Sequence, residues 1–133
     1  MKRRYRVLKE HLKAMIKEAI LAAQNNGREI CGLLVDNGYF IELVRTANKT
    51  KRGGGFSFYS KEIEFVESAV KKLNHKIVGT FHSHPYYIAE PGESDISDAF
   101  DDEIMLVIDV INGDAALWRI ANNRKVKLEI ELI

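Results

Sequence analysis

The chain is poor in cysteine, in net charge and in long apolar runs, and each shortage narrows what it can be. Its 133 residues hold one cysteine, Cys31, so no disulfide can form within the chain. A cytoplasmic address is the expectation that follows. Lys and Arg number 20 and Asp and Glu 19, a net charge of +1. That balance points to neither nucleic acid nor a membrane surface as partner. Basic residues do crowd the start, from Lys2 to Lys17, where they read as the solvated face of a helix. No apolar run approaches the ~20 residues of a membrane span. No apolar stretch follows the first basic residues either, so no signal peptide is expected. HExxH is missing, which removes the common helical zinc-peptidase arrangement. So is His-x-Glu with a later Pro-Cys-x-x-Cys, which argues against a zinc deaminase. Gly53, Gly54 and Gly55 lack the Lys-Ser/Thr of a phosphate loop and read instead as a connection or a flap over a site. Cys31 lies in an apolar strand without a base nearby in sequence and reads as an inert buried thiol.

What is present suits a globular α/β chain. Hydrophobic residues make up 46% and charged residues 29%, enough for one domain with its own core over residues 1–133. Residues 7–26 place Leu8, Leu12, Met15, Ile16, Ala19 and Ala23 on one helical stripe, with Gly27 as a left-handed cap. Glu29 to Asp36 reads as an apolar strand, Asn37-Gly38 as a hairpin turn, and Tyr39 to Ala47 as the return strand. Phe56 and Phe58 alternate with polar residues as a short strand would. Ser60 is placed to cap a second helix whose inner stripe is Ile63, Val66, Val70 and Leu73. Ile77 to Phe81 is a strand, Ser94 to Phe100 a short helix, and Glu103 to Val110 a buried central strand. Asn112-Gly113 turns into a strand over Ala115 to Ile120. Val126 to Leu132 alternates apolar and charged residues, as an outer strand with one wet face does. This order implies one mixed sheet with helices on its faces.

The chemistry concentrates between Lys76 and Asp98. The strand over Ile77–Phe81 delivers His82 and His84, and Pro85 stops it. Side chains alternate along a strand, so both imidazoles point one way and Ser83 the other. Two imidazoles on one face beside a loop rich in carboxylates suit zinc, which takes nitrogen and oxygen ligands in a tetrahedron. A catalytic zinc needs a third protein ligand and an open position. Glu90, Glu93, Asp95, Asp98, Asp101 and Asp102 all follow closely, and spacing does not choose among them. A residue in the first turn of the following helix favours Asp95 or Asp98. Glu29 opens an apolar strand and shares a face with Cys31, Leu33 and Val35. A carboxylate partly withdrawn from water there is placed to shuttle protons.

Glu29-Ile30-Cys31-Gly32-Leu33-Leu34, His82-Ser83-His84-Pro85 and Pro91-Gly92-Glu93-Ser94-Asp95-Ile96 together resemble the JAMM motif of the JAB/MPN metalloproteases. The resemblance covers roughly residues 8–120. It implies the cytidine-deaminase-like JAB/MPN architecture, zinc held by His82, His84 and Asp95, and Glu29 as the catalytic acid-base. It also implies hydrolysis of an amide bond by an isopeptidase or peptidase. The partner would be a protein or peptide, such as the C-terminal tail of a ubiquitin-like or sulfur-carrier protein; a cell-wall or phage-tail peptidase is a further option. One position departs. The motif serine, an oxyanion donor, falls on Gly92, which has no hydroxyl and, following Pro91, is expected to take a positive-φ turn. Ser94, two residues on, is the nearest surrogate. The alternative function is therefore a zinc-binding interaction domain that keeps the fold with little or no turnover.

Overall fold

The computed structural model describes residues 5–50 and 55–133. Among these residues one eight-stranded mixed sheet carries three helices. The chain opens with a short strand, β1 (Tyr5–Val7), and helix α1 (Lys9–Asn26). The helical pattern thus begins two residues later than the expected 7–26, because Val7 is taken into the sheet. Gly27 ends α1 with φ 66°, the left-handed cap that its sequence position suggests. Strands β2 (Cys31–Asp36) and β3 (Ile41–Thr46) form the expected hairpin. Helix α2 (Ser60–Lys72) starts one residue earlier than a Ser60 cap would place it, with Tyr59 at the cap. Of its expected stripe, Val70 is buried and Leu73 is exposed, because Leu73 lies past the helix end. Strand β4 (Lys76–His84) contains both histidines. Helix α3 (Glu93–Asp98) leads to β5 (Glu103–Asp109) and β6 (Asp114–Ala121). Asn122 and Asn123, at φ 54° and 57°, make the turn to β7 (Arg124–Leu128). The last strand is β8 (Ile130–Leu132).

The strand order is β7-β6-β5-β4-β2-β3-β1-β8. Its two ends correct the expectation of a single outer strand over Val126–Leu132. Only Glu129 separates β7 from β8, yet they occupy opposite ends of the sheet. A flat sheet of this size would be about 34 Å across at ~4.8 Å per strand, and one residue reaches only ~3.5 Å. The sheet therefore curls until its ends approach. β7 pairs with β6 through Leu117 and Leu128, and β8 pairs in parallel with β1 through Tyr5 and Ile130. The period-2 pattern is the same on both sides of Glu129, so it cannot reveal that the partner changes there.

Curling gives the sheet an inner face wrapped on α1. Leu12, Met15 and Ala19 of α1 pack with Leu34, Phe81, Leu106, Ile108 and Leu117, and with Ile130 from the far end. Residues offset by one position face the other way. There Met105, Val107 and Ile120 pack with Ile96 and Ala99 from α3 and its end, and with Trp118. By the same alternation Thr80, His82 and His84 stand on this second face. The strands come very close at Gly79, where an added Cβ would collide with the backbone of Ile104 on β5. Gly79→Ala is expected to push β4 from β5 and cost about 1–3 kcal/mol of stability. Thermal unfolding of the variant checks this, and an unchanged Tm would refute it.

Candidate metal centre

Two elements deliver the site. β4 runs parallel to β5 and antiparallel to β2, which places Cys31 opposite His82. Glu29, two residues before Cys31, therefore falls on the histidine face. Ser83 points the other way, is fully buried, and makes the link that holds the two segments together. Its Oγ accepts from the Ile30 N–H at 2.9 Å, and its own N–H donates to the Ile30 carbonyl at 3.0 Å. The residue between the histidines is thus tied to the residue after Glu29. Sequence reasoning missed this role, although a serine facing the apolar side of His82-Ser83-His84 was its signal.

The side chains converge. His82 Nε2 lies 3.0 Å from His84 Nε2 and 3.2 Å from Asp95 Oδ2, and His84 Nε2 lies 3.4 Å from the same oxygen. A tetrahedral zinc with bonds of ~2.0–2.1 Å holds its ligand atoms ~3.3 Å apart. The three atoms already stand at that spacing. His84 Nδ1 donates to the Ile88 carbonyl at 3.0 Å, an oxygen that can only accept, which turns Nε2 toward His82 and Asp95 as the nitrogen available to a metal. His82 is fully buried beneath Phe56, whose ring stacks on it at 4.6 Å. Burial opposes the charge on Asp95. Hydrogen bonds from His82 and His84, with the Gly92 N–H at 2.8 Å, outweigh it and hold the carboxyl far below the usual range. Burial likewise opposes a charged His84, but Asp95 and the Ile88 carbonyl prevail and raise its pKa. The donor set of two imidazoles and an ionised carboxylate suits zinc.

Glu29 completes the arrangement. Its carboxylate and the two ring nitrogens all lie within 4.8 Å of one another. Its Oε2 accepts from the Gly55 N–H at 2.5 Å, and its backbone carbonyl accepts from Asn48 Nδ2 at 3.0 Å. The Asn48 side-chain oxygen accepts from the backbone N–H groups of Thr50 and Ser57. Asn48 thereby fixes both Glu29 and the segment carrying Phe56. Nothing in its sequence context marks it, because its partners lie up to 19 residues away. Of the expected triple-glycine loop, Gly53 and Gly54 lie outside the described residues. Phe56 and Phe58 are not in a strand among the described residues; the segment is held back by Ser57, bonded to Lys49 and Asn48, and by Gly55, bonded to Asn48 and Glu29.

Comparison with known proteins bears on the family and the fold. A family model described as prokaryotic homologs of the JAB domain matches residues 8–121. The chain belongs to this JAB-domain family. A comparison with curated proteins finds no match. Among solved structures, a protein of Desulfitobacterium hafniense shares 25% identity at a TM-score of 0.81, covering 97% of this chain and 92% of its own. A JAB1/MPN domain protein of Archaeoglobus fulgidus shares 20% identity at a TM-score of 0.52, over 98% and 99% of the two chains. A structure described as a metalloprotease-like zinc site in the proteasome and signalosome shares 18% at 0.52, with the same coverage. At those last two identities the likeness is one of fold: a mixed α/β architecture with a single mixed sheet.

Within the JAB-domain fold, the six carboxylates that spacing left open stand at different places. Asp95 is the one that meets the histidines. Glu90 pairs with Lys125, Asp101 accepts from the Asn122 N–H, and Asp98 lines a neighbouring cavity. Glu93 is exposed at the start of α3, and Asp102 takes a left-handed turn at φ 66°. Gly92 corrects the expectation of a positive φ. It is extended, with φ −81° and ψ 174°, as the residue that caps α3. Ser94 is exposed and lines the mouth of the cleft beside Asp95. That open cleft, about 490 Å³, runs from Glu29 and His84 to Tyr87 and Ile88 and is bounded by Lys125. Trp118 Nε1 donates to the Ala89 carbonyl at 2.9 Å and secures the loop that follows the histidines. No helix among the described residues is long and apolar enough to cross a membrane.

Proposed function

We propose that this JAB-domain protein is a zinc-dependent peptidase or isopeptidase that hydrolyses an amide bond at an extended protein tail. The observation that carries the reading is the meeting of His82 Nε2, His84 Nε2 and Asp95 Oδ2 at 3.0–3.4 Å with the Glu29 carboxylate beside them. Zinc bound there supplies a Lewis acid that polarises the amide carbonyl and acidifies water. Glu29 takes the proton of the attacking water and returns it to the leaving nitrogen. The Gly55 N–H holds one carboxylate oxygen and so orients Glu29 for this work.

The substrate tail is proposed to run beside residues 55–58. Ser57 spends its backbone groups on Lys49 and Asn48. Alternation turns those of Phe56 and Phe58 to the opposite side, where an extended peptide can add as a strand. A flexible C-terminal tail of a ubiquitin-like or sulfur-carrier protein has the needed form. The test is cleavage of a panel of such fusions by the zinc-loaded protein. Cleavage by the wild type and not by Glu29→Ala supports the reading. Equal cleavage by both, or none by the wild type, ends it.

The missing hydroxyl at Gly92 bears on rate. An oxyanion donor is worth about a hundredfold to a thousandfold in kcat in other hydrolases. Gly92 has an ordinary negative φ, and an added Cβ would lie 3.6 Å from Asp95 Oδ2, an ordinary contact. Gly92→Ser is therefore expected to fold normally, keep its zinc and raise kcat by about tenfold or more, with KM little changed. Steady-state kinetics of Gly92→Ser beside Ser94→Ala checks this. If Ser94→Ala abolishes turnover and Gly92→Ser adds none, Ser94 holds the role instead.

A further inference from the structure

The face of the sheet beside the metal centre is only partly covered. Helix α3 stops at Asp98, and above Thr80 and Met105 it leaves a cavity of about 320 Å³. That is the low end of the ~300–1,000 Å³ typical of ligand sites, room for one side chain rather than a whole ligand. Its walls are mainly apolar: Phe56, Phe58, Ala99 and Met105. The two phenylalanines meet edge to face at 5.5 Å, and Phe56 stacks on His82. The cavity and the open cleft share Gly55, Ser94 and Asp95, so a peptide that reaches the metal centre passes its mouth.

We infer that this cavity is a subsite for one bulky apolar side chain, aliphatic or aromatic, on a residue next to the scissile bond. The inference deepens the hydrolase reading and rests on it. The polar groups in the wall ask little of a ligand. Thr80 Oγ1 donates to Glu103 Oε2 at 2.6 Å, so these two groups largely satisfy each other. Asp95, Asp98 and Glu103 give the lining three carboxyl groups and no basic side chain. An acidic side chain is repelled there, and glycine or alanine leaves the apolar walls wet.

Binding tests this without turnover. Acetylated tripeptide amides Gly-X-Gly, with X as Gly, Leu, Phe, Lys or Glu, are titrated into zinc-loaded full chain carrying Glu29→Gln, which spares the peptides. Methyl-labelled methionine gives the readout. Met105 lines the cavity, and Met15, on α1 and buried against the inner face of the sheet, serves as the internal reference. The Leu and Phe peptides are expected to bind about tenfold or more tightly than Gly, to move the Met105 methyl and to leave Met15 in place, with Glu the weakest. Ala99→Trp fills the cavity and should erase the preference while the Gly peptide still binds. An unchanged Met15 signal reports that the variant is folded. Should that variant misfold, Phe58→Ala removes a wall and should lower the preference for Phe. Equal binding of Gly, Leu and Phe overturns the inference, as does a preference that survives Ala99→Trp. Selective binding without any cleavage by the wild type would refute the hydrolase reading alone. Cleavage with unselective binding would refute the subsite alone.

Discussion

Replacing His82 and His84 together by alanine is expected to abolish zinc binding. Protein purified without chelator should hold about one zinc per chain and the double variant none. The spacing of the three ligand atoms carries this expectation. Removing both imidazoles leaves only the carboxylates of Asp95 and Glu29, without a nitrogen ligand, a poor match for zinc. Asp95→Ala should also lose the metal, because Asp95 Oδ2 stands at ligand spacing from both histidine nitrogens, whereas the Glu29 carboxylate, within 4.8 Å of them, is held by the Gly55 N–H. Asp98→Ala should keep it, since Asp98 lines the neighbouring cavity. Stability should follow occupancy. A ligand held by the folded state at a thousand times its Kd adds about 4 kcal/mol, so chelation should lower the Tm of the wild type and leave the double variant unmoved. Elemental analysis and melting curves with and without chelator decide it. Equal zinc in wild type and double variant would remove the metal centre altogether.

Glu29→Gln should lower turnover by about a hundredfold to ten-thousandfold, the usual contribution of a positioned acid-base, with zinc content unchanged. Glutamine has nearly the same shape, and its carbonyl oxygen can still accept from the Gly55 N–H. The loss should appear in kcat rather than in substrate affinity, because the proton moves only on the way to the transition state. A variant that keeps both its zinc and its rate would show that Glu29 is not the proton carrier. A variant that loses zinc would instead make Glu29 a ligand, an outcome its distance from the ring nitrogens leaves room to measure.

Much of the fold was legible because local patterns agree with it. The hairpin at Asn37-Gly38, the cap at Gly27 and the apolar run from Glu103 each specify an element through two or three neighbouring residues. The errors arose where a partner far along the chain decides. Phe56 and Phe58 alternate like a strand but join no ladder among the described residues. Leu73 continues the helical stripe of α2 beyond the residue where the helix ends. Val126 to Leu132 alternates throughout, and only the presence of β1 explains why it divides at Glu129.

By itself the sequence determined that His82 and His84 share a face, because strand geometry alternates side chains whatever the surroundings. It also determined that a group of carboxylates follows within reach, and the resemblance of the motif picked out Asp95. Only the tertiary structure decided what brings Glu29, 53 residues before His82 in the chain, to the same point. The register of β2 against β4 does it, locked by Ser83 on Ile30 and by Asn48 on the loop that holds the Glu29 carboxylate. Such contacts depend on which strands lie side by side, and that pairing joins segments far apart in the chain, which no local stretch of residues encodes.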